Sequence, residues 1–93
     1  MGYDTKKQEK PENEVDVLEE QSKYLILFND DYNTFDFVIE TLMEVCRHDY
    51  LQAEQCAYIT HFNGKCDVKK GDYDTLKPMK DSLIDRGLSA SIN

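Results

Sequence analysis

A short polar segment that follows an apolar run carries the side chains of this sequence best suited to bind a ligand. Asn29, Asp30 and Asp31 come directly after residues 24–28, all of which are apolar or aromatic. Adjacent carboxylates on a turn point in different directions, so they make a poor general acid–base pair. They do present fixed oxygen acceptors at the edge of an apolar core. This arrangement favours capture of a positively charged group that is attached to an apolar one.

The second candidate is His61, which lies near the end of a predicted helix. A lone histidine is more often a surface residue or a satisfied core residue than a functional one. A catalytic role would require a nucleophile and a base within reach, but the sequence contains no serine in a G-x-S-x-G pattern and no cysteine in a recognisable catalytic context. We therefore predict that the chain is not an enzyme.

The residues that could bind a metal do not follow a known pattern. Residues 30–36 contain acids and amides, but they lack the glycine and the twelfth-position acid of an EF-hand loop. Cys46, Cys56 and Cys66 are ten residues apart, a spacing that matches no zinc finger. Their odd number and the absence of a C-x-x-C pair also argue against a disulfide framework. We predict free, mostly buried thiols and no metal or cofactor.

Length and charge narrow the function classes. The chain has 93 residues, enough for one small domain, and a net charge of −8, which argues against nucleic acid as a partner. It contains neither an apolar stretch long enough to span a membrane nor an Arg-rich targeting segment. These features predict a soluble cytoplasmic protein that is a monomer by default.

The composition changes sharply at about residue 22. Residues 1–22 contain seven acidic side chains and three lysines, but only three aliphatic ones, Val15, Val17 and Leu18. So little apolar surface cannot offset the conformational entropy of folding. We predict a disordered acidic N-terminal extension over residues 1–22 and a folded domain over residues 23–93.

Apolar periodicity predicts the elements that position the candidate residues. Residues 23–28 read as a strand that is covered by helices on at least one side and is compatible with a central place in its sheet, because both of its faces are apolar. Asn33 is the predicted N-cap of the first helix, with Asp36 three residues later in a capping-box-like pair. Arg47 and His48 follow at the end of this helix, where cations suit the helix dipole.

The second helix is predicted to begin after Asp49, with Gln52 at its third position, and to end at Gly64. One face of it carries the small side chains Ala53, Cys56, Ala57 and Thr60. The remaining elements are a strand at residues 65–70, a helix at residues 74–86 with Pro78 in or just beyond its first turn, and a strand at residues 88–92. The order β-α-α-β-α-β predicts an α+β fold with three helices on one face of a three-stranded sheet.

Two motifs in this order resemble the ClpS family, the adaptors of bacterial Clp proteases. The first is N-D-D-Y at residues 29–32, directly after the apolar strand and followed by Phe37-Val38. The second is Ala57-x-x-x-His61-x-x-Gly64-Lys65, about 30 residues further on. The resemblance covers residue 23 to about residue 93, and it implies that the sheet is antiparallel.

The resemblance implies recognition of proteins by a free α-amino group followed by Leu, Phe, Tyr or Trp, and their delivery to a hexameric AAA+ unfoldase of the ClpA or ClpC type. Asn29, Asp30 and His61 match the family residues that hold the α-amino group, Asp30 partly through water, and Asp31 matches the next acidic position. The positions that match the wall of the side-chain pocket are Asn33, Phe35, Val38, Ala57, Thr60 and Leu88. The match is physically reasonable, because an ammonium offers three donors and these side chains offer acceptors.

Several residues depart from the family pattern. Phe35 and Ala57 stand where methionine is common, and Asn33 and Thr60 make the wall more polar than usual. We expect Phe35 to fill part of the room that Ala57 vacates, so that aromatic N-termini gain a stacking partner. His61 must offer a lone pair to the ammonium, so we expect binding to weaken as it protonates at mildly acidic pH.

Two alternatives remain open at this stage. Residues 1–22 resemble the family's disordered extension, which takes part in delivery, but a solubilising tail would look the same. The chain could also be a ClpS-like docking module that regulates the unfoldase without binding N-terminal residues. The presence of Asn29, Asp30 and His61 together favours active recognition.

Overall fold

A computed structural model of the chain describes residues 22–93, so nearly all of the predicted N-terminal extension lies outside the described residues. The elements are β1 (Lys23–Phe28), α1 (Phe35–Val45), α2 (Tyr50–Asn63), β2 (Lys65–Gly71), α3 (Tyr73–Asp85) and β3 (Ser89–Ile92). The predicted order β-α-α-β-α-β is confirmed, with boundaries that differ by one residue at β2, α3 and β3.

The sheet has the order β2-β1-β3, with both pairs antiparallel. β1 is central, as the two apolar faces of its sequence predicted. Leu25 and Leu27 are fully buried in the core with the helices, whereas Tyr24 and Phe28 alternate with them and are partly exposed. The helices therefore pack on one face of the sheet, and the α+β prediction is confirmed.

A β-bulge in β2 joins the sheet to the end of α1. Leu25 pairs with Lys69 and Ile26 pairs with Asp67, so Val68 has no partner of its own in β1. The carbonyl of Val68 instead accepts a hydrogen bond from Nε2 of His48 at 2.7 Å. The prediction that Arg47 and His48 lie at the end of this helix, where a cation would suit its dipole, is wrong in its position: α1 ends at Val45 with no basic residue in its last turn, and the buried ring of His48 is bonded to the bulge.

The starts of the helices are set by local hydrogen bonds. Thr34, not Asn33, caps α1, and its hydroxyl accepts a hydrogen bond from the N–H of Phe37 at 3.1 Å. The predicted cap of α2 is confirmed, since the carboxylate of Asp49 accepts from the N–H of Gln52 at 2.8 Å. The prediction of Asn33 as the cap of α1 is wrong by one residue, for a reason that lies in the site described below.

The core is built from small and aliphatic side chains of all six elements. All three cysteines are free and buried, as predicted. The predicted small-sided face of α2 is buried against the core. Pro78 is the sixth residue of α3, just beyond the first turn, where it removes the hydrogen bond that would reach the carbonyl of Asp74. Over residues 22–93, no helix is both long and apolar enough to cross a membrane.

Candidate functional site

A cleft of about 810 Å³ opens between the turn that follows β1, the first turns of α1 and the outer side of α2. All ten of the predicted site residues line it: Asn29, Asp30, Asp31, Asn33, Phe35, Val38, Ala57, Thr60, His61 and Leu88. It is also lined by six residues that sequence reasoning missed: Leu27, Phe28, Glu54, Gln55, Tyr58 and Phe62. The fold thus brings together residues that are up to 61 positions apart in the chain.

Asp30 organises the acidic turn. Its Oδ1 accepts hydrogen bonds from the N–H groups of Tyr32 at 2.8 Å and Asn33 at 2.7 Å, and its Oδ2 accepts one from Nδ2 of Asn33 at 2.9 Å. Partial burial raises the pKa of Asp30, but the hydrogen bonds from Asn33 and Tyr32 outweigh burial and hold the pKa below its ordinary value. The turn therefore presents a fixed carboxylate at the mouth of the cleft.

Asn33 ties the acidic turn to the segment before β3. Besides Asp30, its Nδ2 donates to the carbonyl of Gly87 at 3.0 Å. Gly87 has a φ of 92°, a left-handed conformation that glycine adopts without strain, and Leu88 follows it into the cleft. Both amide hydrogens of Asn33 are used in these two bonds. These bonds hold the side chain of Asn33 towards Asp30 and Gly87, and the hydroxyl of the neighbouring Thr34 caps α1 instead.

A single backbone bond joins the two sequence motifs. The N–H of Asn29 donates to the carbonyl of Gly64 at 2.9 Å, and Gly64 ends α2 in the left-handed conformation with a φ of 93°. This bond holds His61, one turn before Gly64, on the same rim as Asn29 and Asp30. Within residues 22–93, neither the amide of Asn29 nor the imidazole of His61 has a side-chain hydrogen bond, so their acceptor atoms face the cleft's solvent or a ligand.

The floor of the cleft is small and apolar. Ala57 is only 3% exposed, and Thr60 is equally buried on the same face of α2. The hydroxyl of Thr60 donates to the carbonyl of Cys56 at 2.7 Å. Its proton is therefore used within the helix, and the amide hydrogens of Asn33 are used by Asp30 and Gly87. Both polar residues of the wall have their donors satisfied by the protein itself.

An aromatic rim surrounds the opening. The rings of Phe35 and Tyr58 meet edge to face with 6.4 Å between centroids, and Tyr58 lies 4.5 Å from Phe62. The rings of His61 and Phe62 are 4.8 Å apart and nearly perpendicular. Tyr58 and Phe62 stand one helical turn apart on a partly exposed face of α2. The signal that could have found them is their spacing of four residues, with His61 between them.

The cleft contains acceptors for a cation but no recognisable metal centre. Across the part of the chain that the structure describes, no group of three His, Cys, Asp or Glu side chains is placed to hold a metal ion. Asp30 already receives three hydrogen bonds from its own turn. The cleft instead presents the fixed carboxylate of Asp30, further acceptors on Asn29 and His61, and an apolar pocket above Ala57.

Comparison with known proteins gives a consistent answer. Residues 19–91 match the family model of the ATP-dependent Clp protease adaptor protein ClpS. The chain is 34% identical over 77 residues to ClpS of Acetivibrio thermocellus, which covers 83% of this chain and 77% of that protein. It is also 36% identical over 55 residues to ClpS of Serratia proteamaculans, covering 58% of this chain and 52% of that protein.

A third relative, ClpS of Salmonella gallinarum, is 39% identical over 51 residues, which cover 54% of this chain and 48% of that protein. The chain thus spans about half the length of these two enterobacterial relatives. Among solved structures, ClpS2 of Agrobacterium tumefaciens bound to L-phenylalaninamide matches with a TM-score of 0.68 and 23% identity, covering 78% of this chain and 95% of that one. That likeness supports the fold. The family match establishes that the chain belongs to the ClpS family of ATP-dependent Clp protease adaptors, which are not enzymes.

Proposed function

We propose that this protein is an adaptor that binds proteins by a free, bulky hydrophobic N-terminal residue and delivers them to a ClpA- or ClpC-type AAA+ unfoldase. The observation that carries the proposal is the cleft itself. Cation acceptors from the turn after β1 and from the end of α2 meet at the mouth of a pocket with an apolar floor. A ligand that satisfies both features carries an ammonium group next to a large apolar side chain.

The amine is recognised by three side chains in this proposal. The carboxylate of Asp30 supplies the charge, directly or through a water molecule, and Asn29 and His61 supply further acceptors. The ammonium has three donors and no acceptor: Asn29 and His61 each accept one N–H, and the third goes to Asp30 or to the water that Asp30 holds. An acetylated N-terminus has lost the charge and would leave these acceptors unpaired, so it is expected to bind far more weakly.

The first side chain enters above Ala57 and against Phe35. Because Ala57 is small and the rings of Phe35 and Tyr58 stand at the opening, the pocket should favour aromatic side chains, which gain edge-to-face contacts worth about 0.5–1.5 kcal/mol beyond burial. The Agrobacterium relative supports this choice, since L-phenylalaninamide carries a free amine beside a benzyl group. We therefore propose Phe and Tyr as preferred first residues over Leu.

Delivery is assigned to the N-terminal extension. Residues 1–22 carry seven acids and three lysines, and they precede the first residue of β1. Deletion of residues 1–20 is expected to leave peptide affinity unchanged and to slow degradation by the unfoldase and its protease. Equal degradation with and without the segment would make it a solubilising tail.

The decisive experiment is fluorescence anisotropy with labelled peptides that begin with Phe, Leu, Arg or acetyl-Phe. Tight binding of Phe and weaker binding of Leu, with no binding of Arg or acetyl-Phe, is the expected result. Asp30→Asn should weaken Phe binding at least tenfold, whereas Asp67→Asn removes the same charge from an exposed site outside the cleft and should change nothing. Failure of every peptide to bind would favour a docking module that regulates the unfoldase.

A further inference from the structure

Two cysteine side chains meet underneath the floor of the cleft. Cys56 lies on the buried face of α2, Cys66 is the second residue of β2, and each is only 8% exposed. The thiol of Cys66 has two acceptors, the sulfur of Cys56 and the carbonyl oxygen of Asp67, which lies 3.6 Å from its Sγ. The two thiols are therefore in hydrogen-bond contact where α2 packs on β2.

This contact makes the two sulfurs chemically different. The hydrogen bond from Cys66 lowers the pKa of Cys56, although burial and the nearby Cys46 oppose this effect. The same hydrogen bond raises the pKa of Cys66 above its ordinary value, and burial adds to the rise. The thiolate is the nucleophilic form of cysteine. Cys56 is therefore the sulfur that reacts first with an oxidant, and Cys66 lies in place to react second.

The segment between the two cysteines, residues 57–65, carries about half of the binding site. It contains the floor of the cleft and the imidazole of His61. It also contains Gly64, whose carbonyl accepts the hydrogen bond from the N–H of Asn29 at 2.9 Å. A covalent bond between residues 56 and 66 would close this segment into a ring, so a movement at the two sulfurs would reach both the floor and the amine site.

Thr60 connects the two cysteines to the floor. Its hydroxyl donates to the carbonyl of Cys56 at 2.7 Å and lies within hydrogen-bonding reach of the thiol of Cys66. Cys66 also pairs with Leu27 of β1, two residues before Asn29. The sulfurs of a disulfide are ~2.05 Å apart, closer than two thiols that share a hydrogen bond. Because close-packed interiors transmit strain, closing the bond should shift Thr60 and the end of α2 relative to Asn29.

We propose that Cys56 and Cys66 are a redox modification site: a hydroperoxide converts the two thiols to a disulfide, and the disulfide lowers the affinity of the cleft for N-terminal residues. The effect on affinity rests on the function proposed above, whereas formation of the disulfide does not.

The reaction has two steps. The thiolate of Cys56 attacks one oxygen of hydrogen peroxide, the O–O bond breaks, and the departing hydroxide takes up the proton that Cys56 lost and becomes water. The sulfur of Cys66 then attacks the sulfenic acid on Cys56, the S–O bond breaks, and the hydroxyl group leaves with the proton of Cys66 as a second water. The two sulfurs together lose two electrons, and one peroxide is reduced to two waters.

The test measures disulfide formation and peptide binding on the same sample of the full chain. Hydrogen peroxide should remove two hydrogen atoms from the intact mass, and peptide mapping should join residue 56 to residue 66. The affinity for a Phe-initiated peptide in anisotropy should fall at least about fivefold, because binding sites depend on sub-ångström placement, and dithiothreitol should restore it. Dithiothreitol reverses a disulfide but not a methionine sulfoxide, so restoration assigns the loss to the thiols.

Two variants complete the test. Cys66→Ala removes the second sulfur, so peroxide should no longer remove two hydrogen atoms from the mass. Cys46→Ala is the matched control, since it removes a fully buried thiol and should preserve both the disulfide and the reversible loss of affinity.

A disulfide that includes Cys46, or oxygen added to Cys56 without a disulfide, would overturn the modification site. A disulfide between Cys56 and Cys66 that leaves the affinity unchanged would overturn its effect on binding while leaving N-terminal recognition intact. If the reduced wild type binds no Phe-initiated peptide, the proposed function fails and the effect on affinity fails with it, whereas the mass measurement still decides whether the disulfide forms.

Discussion

Two asparagines four residues apart are predicted to have different roles, one in stability and one in ligand binding. Replacing each with alanine distinguishes the two roles. The amide of Asn33 donates to Asp30 at 2.9 Å and to the carbonyl of Gly87 at 3.0 Å, so it holds the cleft together. The amide of Asn29 has no side-chain hydrogen bond within residues 22–93, so it is available to a ligand. Asn33→Ala should therefore destabilise the fold, and Asn29→Ala should weaken peptide binding alone.

The size of the stability effect follows from the bonds that are lost. A hydrogen bond to a charged group contributes about 1.5–3 kcal/mol, and one between neutral groups about 0.5–1.5 kcal/mol. The Gly87 bond is exposed and the Asp30 bond is only partly buried, so the low ends of both ranges apply and their sum is about 2 kcal/mol. For a domain of this size, about 2 kcal/mol lowers the Tm by about 8–16 °C.

The assay is thermal unfolding followed by circular dichroism, together with anisotropy of a Phe-initiated peptide. Asn33→Ala should lower the Tm by the stated amount, and Asn29→Ala should leave it within about 2 °C while reducing affinity about tenfold. The reasoning would be refuted by an unchanged Tm for Asn33→Ala. It would equally be refuted if Asn29→Ala lowered the Tm as much as Asn33→Ala.

The same variant has a pH signature, because Asp30 is the acceptor. The pKa of Asp30 is lowered in the folded state, so its stabilising contribution is complete above the unfolded value of about 3.9 and is lost as the pH falls through the folded value. The stability difference between the wild type and Asn33→Ala should thus be constant at neutral pH and should narrow below about pH 4. A difference that narrows already near neutral pH would point to another titrating group.

Three further predictions address the bulge, the floor and the thiols. His48→Phe leaves the buried carbonyl of Val68 without its donor, which should destabilise the fold by about 1–3 kcal/mol and lower the Tm by at least about 4 °C. The exposed His61→Phe should leave the Tm unchanged. Equal effects of the two variants in thermal unfolding would contradict this. Ala57→Met should overfill the floor and reduce affinity for Phe-initiated peptides about tenfold, and for Leu-initiated ones less; equal anisotropy losses would place the first side chain elsewhere. Burial, opposed by a nearby lysine, raises the pKa of Cys46 to about 11. Its thiol should therefore be alkylated at least about tenfold more slowly at pH 8 in the folded protein than in urea. Equal alkylation rates in mass spectrometry would contradict this.

Residues close together in the chain made much of this protein predictable from its sequence. The cap of α2 at Asp49 and its end at Gly64 depend on contacts within four residues, and the strand at 23–28 is indicated by an unbroken apolar run. All three predictions are confirmed. The family motifs placed all ten candidate residues in one cleft, because each motif stands at the end of an element whose position the apolar pattern had already indicated. Their role in binding remains a prediction.

Contacts between distant residues could not be predicted in this way. Asn33 is a residue type that often caps helices, but its side chain is held towards the carbonyl of Gly87, 54 residues away, to which its amide nitrogen donates. His48 follows a helix, where cations are common, but its ring reaches a bulge that exists only because β1 and β2 pair with a shifted register. Likewise, Glu54 and the aromatic rim line the cleft only because α2 packs against the turn that follows β1.

The physical reason is the range of the interactions. Capping, helix periodicity and left-handed glycine turns are decided by neighbours within a turn or two, so the sequence by itself determined the elements, their order and the chemical types at the cleft. Hydrogen bonds between elements depend on which groups remain unpaired after the elements pack. Only the tertiary structure decided that the side chain of Asn33 would bridge Asp30 and Gly87, and that the amide of Asn29 would be left without a side-chain hydrogen bond within residues 22–93.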